Sequence, residues 1–164
     1  MKKAISLLFA LVMVLSLTGC GNTVTYTSLE LNMQVPKDMK DVAQDESIQE
    51  YGFTFAIEND QIFICGLRQA VVDIQNGPTM TTLDYTAQIM QDYGLVGRAS
   101  YGERKSRDYV YLRFTMPLEN GVNEYLCGVY KTENAFWLLQ MNGKTENFDE
   151  AKWYEYLDSV TFTE

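Results

Sequence analysis

The chain has 164 residues, of which 46% are hydrophobic and 13% aromatic, so its length and composition favour a single domain with a packed core and exclude global disorder. Its formal net charge is −9, and 22 acidic residues face 11 basic ones when Lys2 and Lys3 are left out, which disfavours a nucleic-acid partner because phosphates are also negative. The chain has no histidine, which excludes Ser-His-Asp and Cys-His catalysis and histidine-based zinc sites, so we expect a protein that is not an enzyme and that holds no cofactor or metal.

The first residues of the chain are typical of an export signal. Two lysines precede an apolar run, Ala4 to Leu17, which is shorter than the roughly 20 residues that a membrane-spanning helix needs. The following Leu17-Thr18-Gly19-Cys20 resembles the lipobox of bacterial lipoproteins. That resemblance implies that residues 1–19 are removed and that a diacylglyceryl group is attached to the sulfur of Cys20. The mature protein would then be anchored outside the cytoplasm, at the outer face of the cell membrane.

We therefore divide the chain into a signal peptide (1–19), a lipidated polar tether (20–27) and a single α+β domain (28–164). Two other interpretations of the N-terminus stay open, an ordinary signal peptide and a short uncleaved membrane anchor. Acyl chains would anchor the domain stably, because each buried methylene group contributes about 0.8 kcal/mol. An acidic domain without a basic patch needs an anchor of this kind to stay at a membrane.

Alternating apolar and polar residues predict the first strands of the domain. Leu29 to Pro36 is typical of a half-buried strand that proline ends, and residues 37–50 are polar and acidic, which predicts a loop. Residues 51–70 predict a hairpin around an Asn59-Asp60 turn. The apolar faces of the opening strand and of the hairpin's first strand would carry Leu29, Leu31, Met33 and Val35, and Tyr51, Phe53, Phe55 and Ile57.

A helix is predicted over residues 81–94. Thr81 or Thr82 can cap its N-terminus, Asp84 then lies in the first turn, and Gly94 suits the position after the last turn. The helical period predicts a buried stripe of Leu83, Ala87, Met90 and Tyr93.

Four strand-like segments come next and predict an antiparallel meander: 95–103, 107–117, 122–131 and 135–142. The last is almost continuously apolar, which is typical of a central strand covered on both faces. A second helix is predicted over residues 147–160, with Asn147 as its N-cap, and a short strand closes the chain. Its buried side would consist of Phe148, Ala151, Leu157 and either Trp153 or Tyr154.

This order of elements predicts an α+β fold, an antiparallel sheet of about six to seven strands with two main helices packed on it. The order, together with the patches Leu31 to Met39 and Ser159 to Phe162, resembles the PsbP-like α/β/α sandwich of photosystem-associated proteins and small bacterial lipoproteins. The resemblance covers Val24 to Thr163. It implies a binding or assembly role rather than catalysis, and it supplies no functional residues.

Two further cysteines, Cys65 and Cys127, lie in apolar strand-like segments. A free cysteine in such a segment behaves as a small buried hydrophobe, so we expect two buried thiols. A Cys65–Cys127 disulfide stays open as the alternative, since an exported protein can form one.

The candidate binding surface consists of Tyr109, Tyr111 and Arg113 on one face of a strand, with Tyr130 opposite them. Tyrosine and arginine are enriched in the energetically dominant parts of protein interfaces. Tyr125 is a second tyrosine that can occupy the opposite position. The alternative is that a helix covers this face, in which case the tyrosines belong to the core.

Three hypotheses of function remain. The favoured one is a non-catalytic lipoprotein that binds a protein, a peptide or an envelope component while anchored through Cys20. The second is a small exported hydrolase that uses carboxylates and tyrosine, which would need two carboxylates in one pocket. The third is a structural spacer.

Overall fold

The computed structural model describes residues 22–119 and 121–163. The predicted signal peptide and Cys20 lie outside the described residues. No helix among the described residues is long and apolar enough to cross a bilayer. Three α-helices are present in this part of the chain: α1 (Glu46–Gln49), α2 (Thr82–Asp92) and α3 (Glu150–Asp158). The strands are β1 (Thr23–Ser28), β2 (Leu31–Pro36), β3 (Lys40–Asp41), β4 (Phe55–Glu58), β5 (Phe63–Ala70), β6 (Ser100–Arg104), β7 (Tyr109–Leu118), β8 (Gly121–Lys131), β9 (Ala135–Lys144) and β10 (Thr161–Phe162).

The strands form two antiparallel sheets, which confirms the predicted α+β class. The large sheet has seven strands in the order β3-β4-β5-β9-β8-β7-β6, and the small sheet has the order β1-β2-β10. The central strand β9 is buried over Ala135 to Leu139 and again at Met141. Since successive residues of a strand point to opposite faces, β9 is apolar on both faces of the large sheet. Each face therefore needs a covering layer.

One face of the large sheet, here called the α3 face, is covered by α3 and the small sheet. The buried residues that α3 and β2 contribute are Trp153, Tyr156 and Leu157, and Leu31, Met33 and Val35. They pack on a row from the large sheet that includes Phe55, Ile57, Trp137, Leu139 and Met141. This cluster is the main core of the domain.

The opposite face, here called the α2 face, is covered by α2 over part of its area. Tyr85 of α2 stacks on Phe136 of β9 with ring centroids 4.3 Å apart. The buried residues of α2 are Tyr85, Thr86, Ile89 and Met90. The predicted stripe is therefore wrong except for Met90: Leu83 and Tyr93 are exposed and so is Ala87. Both stripes fit the helical period, and Tyr85 with Ile89 offers the larger apolar area to bury.

The two ends of α2 form as predicted. Thr81 Oγ1 accepts a hydrogen bond from the Asp84 N–H at 3.1 Å, and the Asp84 carboxylate accepts one from the Thr81 N–H at 3.0 Å. This reciprocal pair satisfies two backbone donors that the first turn would leave without partners. At the other end Gly94 has φ +64°, and the next residue, Leu95, donates to the Met90 carbonyl at 2.7 Å. A left-handed glycine after the last turn is what this ending requires.

The segment predicted as a polar tether is instead largely a strand, β1. β1 pairs with β2 over six residues, from Thr23 opposite Pro36 to Ser28 opposite Leu31. Its threonines favour extended backbone, and Tyr26 packs on Phe55 with ring centroids 5.2 Å apart. Among the described residues the first strand of the domain therefore begins at residue 23, within the segment predicted as a tether.

Three smaller predictions are also wrong. The N-cap of α3 is Asp149, whose carboxylate accepts from the Lys152 N–H at 3.1 Å, while Asn147 lies in a preceding 3₁₀ turn. Ala151 is exposed, so the buried side of α3 is rotated from the predicted one. Residues 37–50, predicted as a loop, contain β3 and the single turn α1.

Glu30, in the turn between β1 and β2, ties the small sheet to the large one. Its Oε1 accepts hydrogen bonds from Arg68 Nε at 2.8 Å and from Trp137 Nε1 at 3.1 Å. Burial alone would raise the pKa of the Glu30 carboxyl, but the hydrogen bonds from Arg68, from the backbone and from Trp137 outweigh it and lower that pKa. The ionised form of Glu30 therefore stabilises the fold.

We expect Glu30→Gln to lower the free energy of unfolding at neutral pH by about 1 kcal/mol, because it removes a charged hydrogen-bond acceptor that is partly exposed. A lowered carboxyl pKa stabilises the fold above the ordinary value of 4.5, and this contribution disappears as pH falls through the folded-state value. Denaturant unfolding of the parent protein and the variant across a pH series measures the difference in unfolding free energy and its dependence on pH. The control is Glu58→Gln, at an exposed position of β4. An undiminished difference well below pH 4.5 would contradict the prediction.

Candidate functional site

Two residues of the predicted binding surface are buried beneath α3. Tyr109 and Tyr130 are 2% and 4% exposed, and their rings lie 4.9 Å apart. The Tyr130 hydroxyl donates to the Leu157 carbonyl, and the Tyr109 hydroxyl donates to Asp158, each at 2.8 Å. Both tyrosines are core residues and do not form an exposed surface, which agrees with the alternative that a helix covers this face.

Tyr111 and Arg113 are half-buried at the edge of the same layer. Tyr111 meets the ring of Tyr154 edge-on at 5.6 Å. Arg113 pairs with Glu150 at 2.9 Å and with the buried Glu124 at 3.6 Å. These contacts engage both side chains with α3 or with the sheet beneath it. The alternative weighed from the sequence, a face covered by a helix, describes this arrangement.

Charged side chains near these tyrosines also contact α3. Arg104 contacts Asp158 at 2.6 Å and lies 4.6 Å from the centre of the Tyr154 ring. Burial, and then the hydrogen bond to Asp158, raise the pKa of Tyr109. Burial also raises the pKa of Tyr154 to about 12. Phenols with raised pKa values stay protonated near neutral pH, so neither is poised to act as a base.

The part of the structure with the composition of a binding site is a groove on the α2 face that encloses about 620 Å³, here called the groove. Its floor is the half of the sheet face that α2 leaves open, and its walls come from α2 and the segment around α1. Small-molecule sites in proteins usually enclose 300–1,000 Å³ and are mostly apolar. The groove is lined by Ile48, Tyr51, Phe53, Phe63, Leu67, Ile89, Tyr93, Leu95, Leu112, Phe114, Met116, Tyr125, Cys127, Leu138, Gln140 and Asn142.

The lining residues carry no formal charge at neutral pH. None is Asp, Glu, Lys or Arg, although charged residues make up 21% of the chain. The rings of Phe114 and Tyr125 stack at 4.8 Å and nearly parallel, 7° apart, and so form a flat apolar surface. The side-chain amides of Gln140 and Asn142 supply hydrogen-bond donors and acceptors at the floor. This combination suits a neutral, largely apolar molecule that carries one or two polar atoms.

The two remaining cysteines flank Gln140 in the floor. Cys65 on β5 and Cys127 on β8 are each paired in register with Gln140 on the strand between them. Two strand spacings place their backbones about 9.6 Å apart, beyond the reach of a disulfide. Both are buried free thiols in the structure, and burial raises the pKa of Cys127 to about 12.

The described residues offer no cluster for a metal ion, and their carboxylates lie outside the groove. No group of three or more His, Cys, Asp and Glu side chains within residues 22–119 and 121–163 could hold a metal ion. Glu124 and Glu150 come together, but Arg113 lies against both, and neither lines the groove. The groove holds no carboxylate, so it is not the pocket that the hydrolase hypothesis requires; Asp38, Asp60 and Asp149 line a separate polar cavity of about 540 Å³.

Comparison with known proteins yields a fold and no function. No family model matches the chain, and no curated protein matches its sequence. The chain is similar to the solution structure of cyanobacterial PsbP (CyanoP) from Synechocystis, with 12% identity, a TM-score of 0.57, and coverage of 90% of this chain and 99% of that one. It is also similar to a crystal structure from Bacteroides thetaiotaomicron, with 12% identity, a TM-score of 0.53 and coverage of 88% of this chain.

The match covers 49% of the Bacteroides protein, so this chain spans about half its length. The identities are too low to carry over any activity. The structural match to cyanobacterial PsbP agrees with the element order described above. The chain therefore has the PsbP-like α+β fold that its sequence predicts.

The placement of the cysteines predicts how they react. We expect neither Cys65 nor Cys127 to react with a thiol reagent at pH 8 while the domain is folded, because a thiol with a pKa of about 12 is ionised to only about one part in 10⁴ there. After unfolding, both thiols should react. Mass spectrometry of the labelled protein measures the number of adducts. Recovery of neither thiol without a reductant would indicate a disulfide.

Proposed function

We propose that this protein is a non-catalytic binding module of the cell envelope. A lipid on Cys20 anchors it to the membrane, and the groove holds an uncharged, largely apolar small molecule. The observation that carries the binding role is the uncharged lining of the groove in an acidic chain. A spacer would gain nothing from an open apolar groove whose volume of about 620 Å³ lies in the range of small-molecule sites.

Several features support a ligand of this kind over a charged one. A charged ligand would lose its hydration on entering the groove without gaining an ion pair, since no lining residue carries an opposite charge. An apolar ligand would instead cover the stacked rings of Phe114 and Tyr125. Its polar atoms could exchange hydrogen bonds with water for hydrogen bonds with Gln140 or Asn142. The negative charge of the remaining protein would add to the selectivity against anions.

The membrane anchor rests on the sequence around Cys20. The run of apolar residues before it is short, and Leu17-Thr18-Gly19-Cys20 resembles a lipobox. The acidic domain is not drawn to anionic lipid by its own charge, so a separate anchor would hold it at a bilayer. A lipid on Cys20 would supply that anchor.

Substitution of the lipidated residue tests the anchor. We expect Cys20→Ala to abolish incorporation of labelled fatty acid, because the sulfur is the attachment atom. The variant should also leave the membrane fraction, from which the parent protein is extracted only with detergent. Cys65→Ala is the control, since it removes a buried cysteine that carries no lipid in this proposal. Unchanged fatty-acid incorporation in Cys20→Ala would refute the anchor.

A charge placed in the floor tests the groove. The probe is the neutral fluorophore N-phenyl-1-naphthylamine, whose emission rises in apolar surroundings. We expect Gln140→Glu to weaken its binding about tenfold, because a near-isosteric carboxylate must stay hydrated where the probe would lie, at a cost of about 1.4 kcal/mol or more. Gln91→Glu makes the same change on the exposed side of α2. Equal affinities in both variants, with unfolding curves unchanged, would exclude the groove as the site.

A further inference from the structure

The proposed anchor and the start of β1 are separated by very little chain. β1 begins at Thr23. The preceding residue, Asn22, is already held by a backbone hydrogen bond, because its carbonyl accepts from the Lys37 N–H at 3.0 Å. From Cys20 to Asn22 the chain spans two residues, which reach about 7 Å at full extension. A lipid on Cys20 would therefore hold the first residue of β1 within about 10 Å of the bilayer surface. The eight-residue tether expected from the sequence would have allowed several times that distance.

Asn22 lies at one end of the domain together with several loops, and this group is here called the anchor end. A polar cavity of about 540 Å³ joins Asn22 and Thr23 to the β4–β5 turn (59–62) and to the start of α3. An adjoining cavity joins the same turn to Leu118, Glu119 and the end of β9. The anchor end therefore consists of the start of β1, residues 37–38, the turn 59–62, residues 118–123 without 120, and residues 143–149.

Two exposed apolar side chains extend from the anchor end. Leu118 and Val122, at the tip of the β7–β8 hairpin, are 48% and 47% exposed. Val122 lies beyond the last register pair of β8 with β9, which joins Asn123 to Lys144. An apolar hairpin tip that extends past the sheet can enter the headgroup region of a bilayer, where its burial is favourable.

The charges of the anchor end are mixed. Lys37, Lys144 and Lys152 stand near Asp38, Asp60, Asp149, Glu119 and Glu146. Such a surface is not attracted to anionic lipid as a basic patch would be. The short link and the hairpin tip are therefore the two features that would set the orientation.

We propose that the anchor end lies flat against the bilayer, with the large sheet standing away from the membrane and with Leu118 and Val122 in contact with lipid headgroups. This inference rests on the lipid anchor proposed above. The opposite end of the domain, which carries Val72 with 84% exposure, is separated from the anchor end by the eight residues of β5. That length is about 26 Å. The two ends would therefore lie at clearly different distances from the lipid headgroups.

Headgroup quenching measures this difference. Lipidated full-length protein carrying Leu118→Cys or Val72→Cys is labelled with a neutral fluorophore and bound to phosphatidylcholine vesicles that contain a headgroup-nitroxide lipid. The parent protein without an added cysteine gives the background from Cys65 and Cys127, which are buried. We expect quenching at position 118 to exceed that at position 72 several-fold, and Val122→Cys to behave like Leu118→Cys.

Three outcomes can be told apart. If the protein does not float with the vesicles, the anchor fails, and with it this inference and the membrane part of the proposed function, whereas the groove is tested separately by probe binding. If it floats but positions 72 and 118 are quenched equally, the orientation is wrong while the anchor stands. A variant with 20 Gly/Ser residues inserted after Gly21, whose linker spans about 25 Å on average, should lose most of the difference. An unchanged difference in that variant would refute the role of the short link.

Discussion

The structure depends on one constraint, which is that the seven-stranded sheet is apolar on both faces around β9. Seven strands at about 4.8 Å spacing are about 29 Å wide from first to last. The α3 face is covered by a helix and by three further strands. The α2 face has α2 as its main cover, and a helix of 11 residues is about 16 Å long and about 10 Å across. One such helix cannot cover a face of this size, so part of the apolar floor stays open as the groove.

The open half of that face differs chemically from the covered half. Beneath α2 the floor is made of residues such as Val129 and Phe136, which are fully buried. Beyond the helix, β9 continues with Gln140 and Asn142, which are half-buried and point to the same face. An amide at a fully covered position would lose its hydrogen bonds to water, whereas in the open half it can keep them. The polar residues of β9 thus begin where the cover of α2 ends.

Local patterns predicted those parts of the fold that local interactions determine. The ending at Gly94 and a threonine cap, at Thr81 or Thr82, are predicted because both depend on residues within one turn, and the structure places the cap at Thr81. For the tyrosines of β7 the sequence left two interpretations open, a binding surface and a face covered by a helix, because their exposure depends on α3, some 40 residues later in the chain. No periodicity within β7 shows which face α3 will cover. The stripe of α2 failed for a similar reason, since two faces of that helix fit the same period. The groove was missed because it arises from incomplete cover, which only the assembled layers reveal.

The misassigned start of the domain has the largest consequence for function. The residues of β1 predict a tether because its threonines alternate with only two apolar residues, Val24 and Tyr26, and its pairing with β2 exists only in the folded domain. As a strand, it leaves a span of only two residues from Cys20 to Asn22, so the proposed lipid anchor would restrict how the domain stands on a membrane. The groove lies on the half of its sheet nearer the anchor end. Met116 and Asn142 line it, and both belong to the strand pairs close to that end of the sheet. In the proposed orientation the groove would open beside the bilayer, and an apolar ligand leaving the membrane would reach it without crossing the full length of the domain.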